Sequence, residues 1–404
     1  MLFGIMPART KRSASDEGAA NPFRYGGLAL DEAFADRERE LAELIADVRN
    51  GQDVVVFAPR RYGKSSLLWR AAGELARRRV LVAVVDLMTA PNKQKLAEKL
   101  AGAIYEHIAS PLERAREKAL APFRGLRIQP VVNVDPLDGS LSFSFGVGRR
   151  TADIDATLER LLELPAELGA ARGRRVALVL DEFQEVVEID RALPKLMRST
   201  FQQQPEVAHV YLGSKRHVME RIFSDENEPF WRSAKSIELG RIEPDAFVTF
   251  LGERFGAGGK EIGPATLDEL LARTGGHPHA TQELAYFLWE EARPGGQAGS
   301  AELERALAAV LRSEHAHFSL LWERAAKSQR LLLEALAREQ PGRPFSAEYR
   351  HEHGLPSAAT MQKAARALSE REIVSGEAGA YRIVEPFLAE WIRASIDRAP
   401  AGDA

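Results

Sequence analysis

The sequence predicts an α/β chain: a parallel sheet with helices on both faces, then a helical segment, then three helices and a strand pair in a winged-helix pattern. Three observations carry this. Short apolar runs rich in β-branched residues alternate with helix-period segments through the first 240 residues, the pattern of strands buried on both faces. From Glu243 the strand signal stops, and helical periods divided by glycine-rich turns take over. Past the linker-like ARPGGQAGS (292–300), helical periods end in two short strands turned through GEAGA.

The strand runs are Asp53–Ala58, Val80–Leu87, Val176–Leu180, Val207–Leu212 and Ser236–Gly240. After the first comes a helix, Ser65–Arg78, with Leu67, Leu68, Ala71, Ala72 and Leu75 on one stripe. Leu126–Val134 and Ser140–Val147 alternate apolar and polar around DPLDGS, which predicts a hairpin, read as a surface insertion. Helical periods then cover Pro244–Phe255, Pro264–Thr274 and His277–Ala292, a small lid. The last unit reads as helices Ala301–His315, Lys327–Arg338 and Ala358–Ser369 with strands Ile373–Ser375 and Tyr381–Val384. The division expected is an arm at 1–20, a core at 21–242 with its hairpin insertion at about 126–148, a lid at 243–293, a linker at 294–300, a winged helix at 301–396 and a tail at 397–404.

Bulk properties narrow the function classes. The 404 residues carry a net charge of only −3, which gives no general push toward nucleic acid or acidic lipid. There is no cysteine, so disulfides, thiolate nucleophiles and cysteine metal sites are excluded. No apolar run approaches the ~20 residues that span a bilayer, and the N-terminus lacks the apolar core of a secretion signal. A cytoplasmic location and no membrane partner are expected.

The segment VVVFAPRRYGKSSLL holds the chemistry. A strand ends at Ala58, a loop runs on through Pro59, Arg60, Arg61, Tyr62, Gly63 and Lys64, and a helix opens at Ser65. A polyphosphate needs inward backbone N–H groups, positive potential and no obstructing side chain. Gly63 gives the bare turn, Lys64 reaches β- and γ-oxygens, Ser65 offers its hydroxyl to Mg²⁺, and Ser66 lies near the α-phosphate. Arg60 and Arg61 raise the local positive potential. The pattern G-x-x-x-x-G-K-[ST] is broken at its first glycine, here Ala58, which is tolerable where φ stays negative. The second half is VALVLDEFQEV, an apolar strand ending in Asp181 and Glu182. There Asp181 is placed to hold the metal and Glu182 to activate the attacking water. The predicted core is therefore that of a P-loop NTPase, with ATP and Mg²⁺ as cofactors.

With both motifs in place, the chain resembles the AAA+/STAND-like ATPases of prokaryotes, which join an ATPase core, a helical lid and a winged helix. The likeness rests on Asn21-Pro22-Phe23 and Arg37-Glu38 ahead of the first strand, on APRRYGKSSLL, on LVLDEFQEV, on YLGSKRHVMERIF with PFWRSAKSIEL, and on TGGHPHATQELAYFLW. It implies an Mg-dependent ATPase converting ATP and water to ADP and phosphate. It also implies roles for Ser214 as a γ-phosphate sensor, for Arg232 as a transition-state arginine acting in cis or from a neighbour, and for His277 near the phosphates. Each has a plainer reading: Arg232 as a surface ion pair, His277 as a helix cap.

A nucleotide-dependent regulatory switch with slow hydrolysis is the expected function; the signal and any protein partner or homo-oligomer are left open. The alternative is a DNA-binding ATPase resembling archaeal origin-recognition initiators. Lys363, Arg366, Arg371 and Arg382 would face DNA, but residues 301–404 nearly balance acids and bases, unlike a DNA module. A P-loop small-molecule kinase is the weaker alternative.

Overall fold

The computed structural model describes residues 20–29, 34–108, 128–134, 141–147 and 151–396. The expected arm at 1–19, the hairpin turn at 135–140 and the tail from 397 lie outside the described residues.

Five strands form one parallel sheet: β1 (Val54–Phe57), β2 (Leu81–Asp86), β5 (Val176–Asp181), β6 (Val207–Gly213) and β7 (Lys235–Glu238), in the order β2-β5-β6-β1-β7. Val54, Val55 and Val56 are fully buried, as are all seven residues of β6, which fits strands covered on both faces. β7 lies at the edge and reads exposed, exposed, buried, exposed; its lysine and glutamate blunt that edge. β3 (Ile128–Val134) and β4 (Leu141–Val147) form the expected antiparallel hairpin, with Ile128 opposite Val147 and Val134 opposite Leu141. One face of the sheet packs on helices Glu38–Asn50 and Lys64–Arg77, the other on Lys93–Ala103, Thr151–Arg172 and Leu193–Phe201.

The lid helices are Pro244–Ala257, Pro264–Thr274 and Pro278–Glu291. The segment read as a linker is tied down: β9 (Gln297–Ala298) pairs in parallel with β8 (Glu261–Ile262). The C-terminal unit differs in detail from the sequence reading. Its first helix runs on from Ser300 to Glu323, because Phe318 continues the buried stripe of Leu303, Ala306, Leu307 and Val310. Below it lie helices Lys327–Arg338, Ala347–Glu352 and Ala358–Glu370, the wing strands β10 (Val374–Glu377) and β11 (Ala380–Ile383), and a closing helix Pro386–Ile396. The helices at 347–352 and 386–396 were missed; the first is too short to show a period. Lid and winged helix share one apolar core, in which Phe247, Phe255, Leu284, Phe318, Leu336 and Phe387 are all essentially buried. Among the described residues, no helix is long and apolar enough to cross a membrane.

Candidate nucleotide site

The parallel sheet brings the ends of β1, β5 and β6 to one edge. β6 lies between the strands that carry the two motifs, so about 10 Å separates β1 from β5 at ordinary strand spacing. A long lysine stem covers that gap. Lys64 Nζ sits 2.8 Å from Asp181 Oδ1 and also bonds Glu182 Oε1.

The loop is shaped by three backbone choices. Ala58 is 2 % exposed, donates its N–H to Gly213 O at 3.3 Å, and is not among the residues with positive φ. Its methyl group is therefore core, which accounts for the missing first glycine. Arg61 takes φ +66° and Gly63 φ +85°. A left-handed backbone costs an L-residue about 1–2 kcal/mol, so any side chain at 63 is strained. Gly63 then opens the helix, its carbonyl accepting from Leu67 N at 2.9 Å. Tyr62 folds inward and meets the His277 ring at 4.7 Å, linking loop to lid.

Glu182 also has a left-handed backbone, φ +54°, and its N–H bonds Asp181 Oδ1 at 2.9 Å. Its carboxylate is shared by Lys64, by Ser214 Oγ donating at 3.0 Å, and by Gln184 Nε2. Burial, the largest influence, pushes its pKa up. The Lys64 charge and the bonds from Lys64, Gln184 and Ser214 together outweigh burial and hold it below the ordinary value. Glu182 is thus kept ionised, the form a general base requires. Ser65 lines the same cavity. Its hydroxyl and the Asp181 carboxylate form the hard-oxygen donor set that Mg²⁺ prefers, so these residues fit the metal.

The cavity holds about 540 Å³. Its floor is Pro59 to Arg61 and Gly63 to Ser66, its back wall Glu182 and Ser214, and its roof the lid residues Pro278, His279 and Gln282. A lead-in strip, Arg24–Ala29, closes the remaining side. That strip is anchored by Asn21 Nδ2, which bonds Tyr286 O (3.1 Å) and Glu290 Oε1 (2.7 Å), and by Phe23, packed on Phe250 and Phe255. Ser66 Oγ accepts from Ala29 N at 3.0 Å, so the strip is stitched to the loop's helix.

Of the expected site residues, Ala58, Tyr62, Asp181, His277 and Arg232 are not among those that line the cavity. His277 is a helix cap: Nδ1 accepts from Ala280 N at 3.2 Å, and the ring is absent from the cavity lining. Burial, helped by His279, Arg241 and Arg61, drives its pKa down to about 3, so it is neutral. Arg232 is exposed, lies 5.3 Å over the Trp231 ring and is not among the residues that line the cavity. Sequence reasoning missed Gln184, His279, Gln282 and the strip. Gln184 had no signal in the sequence; in the structure a Cβ on Gly213 would meet Met219 Cγ at 2.4 Å and Gln184 Oε1 at 2.7 Å, so that glycine keeps room for both.

Residues 34–284 match the family described as the ATPase domain predominantly from Archaea, and residues 316–394 match a probable winged helix domain. No curated protein sequence matches the chain. Among solved structures, a Walker-type ATPase of Pyrococcus abyssi is 18% identical, covering 92% of this chain and 99% of its own, with a TM-score of 0.63. The ORC2 protein of Aeropyrum pernix, in its ADPNP–ADP complexes, is 13% identical, covering 94% of this chain and 99% of its own, with a TM-score of 0.51. At such identities the likeness shows the fold.

Proposed function

Because the chain belongs to the family of ATPase domains found predominantly in Archaea, we propose that it is a nucleotide-dependent switch in which ATP and the winged helix compete for the same loop arginines. One observation carries this reading. Arg60 Nε bonds Glu372 Oε2 at 2.8 Å, and Arg61 Nη1 bonds Glu385 Oε1. Both acids belong to the winged helix; both arginines belong to the phosphate loop. Burial raises the pKa of each acid above the ordinary value. Arg60 opposes this at Glu372 while the Glu182 charge adds to it, and Arg61 opposes it at Glu385 while Glu314 adds to it. A phosphate that draws the two guanidinium groups inward leaves two half-desolvated carboxylates beside other acids. That differential cost is what shifts a two-state equilibrium.

In the proposed cycle, Lys64 leaves the acids for the β- and γ-oxygens, and Asp181 and Ser65 hold Mg²⁺, which supplies charge neutralisation when bound. Glu182 takes the proton of the attacking water, and Ser214 positions that carboxylate. Hydrolysis is slow, because Glu182 must first exchange three partners. Arg232, exposed and outside the cavity lining, acts toward a neighbouring copy. The test is ATP affinity, by calorimetry, in the Glu372→Gln/Glu385→Gln double variant. Tighter binding supports competition; unchanged binding removes it.

The second reading, DNA binding, rests on Lys363, Arg366 and Arg371, all exposed at or beside helix Ala358–Glu370. Arg366 already bonds Glu370 at 3.1 Å. Salt-dependent duplex binding lost on Lys363→Ala/Arg366→Ala would favour it.

A further inference from the structure

The lid turn that brings Pro278 and His279 to the nucleotide cavity also carries Arg273, Thr274 and Gly275 into a second one. It holds about 450 Å³ and is closed on the other side by the winged helix, through Gln340, Pro341, Arg382, Ile383 and Pro386. Four arginines line it (Arg241, Arg273, Arg382 and Arg393) against two glutamates, Glu269 and Glu390. Two of the guanidinium groups are spoken for. Arg273 bonds Glu269 at 2.8 Å and also Glu304, and Arg393 bonds Glu390 at 2.6 Å. The other two keep their charge. Arg241 Nη1 donates to the neutral carbonyl of Gly275 at 2.5 Å. Arg382, half-buried on β11, makes no ion pair with any of the described residues.

Two guanidinium groups without an acidic partner line one recess between the lid and the winged helix, where one anion could be held by both. The recess has the volume of a small-molecule pocket, and guanidinium forks suit phosphate oxygens. We propose that this cavity is a second anion site that takes a phosphate-bearing small molecule of nucleotide size and thereby fixes the lid against the winged helix. Duplex DNA fits it less well. Lys363 and Arg366, the exposed cations of the adjacent helix, do not line the cavity, so no continuous basic track leads through it.

The test uses the full chain and inorganic pyrophosphate as probe, by calorimetry at low salt. Two equivalents are expected for the wild type and one for Lys64→Ala. Arg382→Gln should weaken the equivalent that survives in Lys64→Ala about tenfold or more, the loss of one charge-assisted contact, while Arg382→Lys restores part of it. In the wild-type background the same change should leave the tight equivalent intact, so the outcome is independent of the loop-site reading. Arg241→Gln provides a second variant, with melting temperature as the folding control. A single equivalent in the wild type, residual binding indifferent to Arg382→Gln, or displacement by duplex DNA more readily than by ATP would each overturn the proposal.

Discussion

Lys64 and the pair Arg60 and Arg61 sit within five residues of each other, yet their carboxylate partners differ in kind. Lys64 is 8 % exposed and bonds Asp181 and Glu182, which hang from the same sheet. Arg60 and Arg61 are 60 % and 38 % exposed and bond Glu372 and Glu385, more than 300 residues downstream. The first set is rigid, because strand register fixes it. The second is conditional, because it exists only while the winged helix is docked. A buried cluster of this kind suits chemistry; screened pairs worth on the order of 0.5 kcal/mol each suit a reversible latch.

The comparison can be sharpened by breaking each side in turn. Glu182→Gln should reduce turnover by about 10²- to 10⁴-fold, as loss of a general base does, with ATP still bound; a colorimetric phosphate assay beside calorimetry separates the two. Normal turnover would remove Glu182 from the chemistry. Lys64→Ala should weaken ATP by about 100-fold, roughly two charge-assisted bonds. Retained affinity would mean that the loop is not the phosphate site.

A stability effect comes next. Glu283, fully buried on helix Pro278–Glu291, has no hydrogen bond to either carboxylate oxygen among the described residues, His279 Nδ1 lying 3.5 Å from Oε2. Burial, with Glu314 and Glu385 adding and Arg61 opposing, raises its pKa to about 8. Its folded pKa lies above the ordinary 4.5, so the folded chain holds a proton that the unfolded chain releases. Stability therefore falls as pH rises from 4.5 to about 8, then levels. His277 and His279 act oppositely: burial lowers them to about 3 and about 4 from 6.5, so their contribution is lost as pH falls below 6.5. Between pH 6.5 and 8 only the Glu283 slope remains among these three. Glu283→Gln should raise the melting temperature at pH 7.5 and flatten that slope; an unaltered slope would show that Glu283 is ionised in the folded state. Smallest of all, Glu372→Gln/Glu385→Gln should tighten ATP by about five- to tenfold, the linkage counterpart of a latch worth ~1 kcal/mol.

What the sequence revealed follows the same division. Strand–loop–helix spacing and the LVLDE strand are local patterns, so the sheet and the Lys64–Asp181–Glu182 grouping were readable before any coordinates. The hairpin was readable too, since strict alternation is a local signal. The latch was not. Nothing near Glu372 or Glu385 announces a partner, and both look like ordinary turn acids. For His277 the plainer of the two readings fits: the Gly-Gly turn brings Pro278 and His279 to the cavity while His277 caps its own helix. Helix Ala347–Glu352 escaped because six residues cannot establish a period.

The absence of cysteine makes the most direct test clean. Spin labels placed by Ser199→Cys on the sheet side and Gln362→Cys on the winged helix, both exposed, report the separation of the two units by double electron–electron resonance. With Glu182→Gln in the background and ATP with Mg²⁺ added, the distance distribution should broaden or lengthen, and Lys64→Ala should abolish that change. An identical distribution with and without nucleotide would contradict the latch.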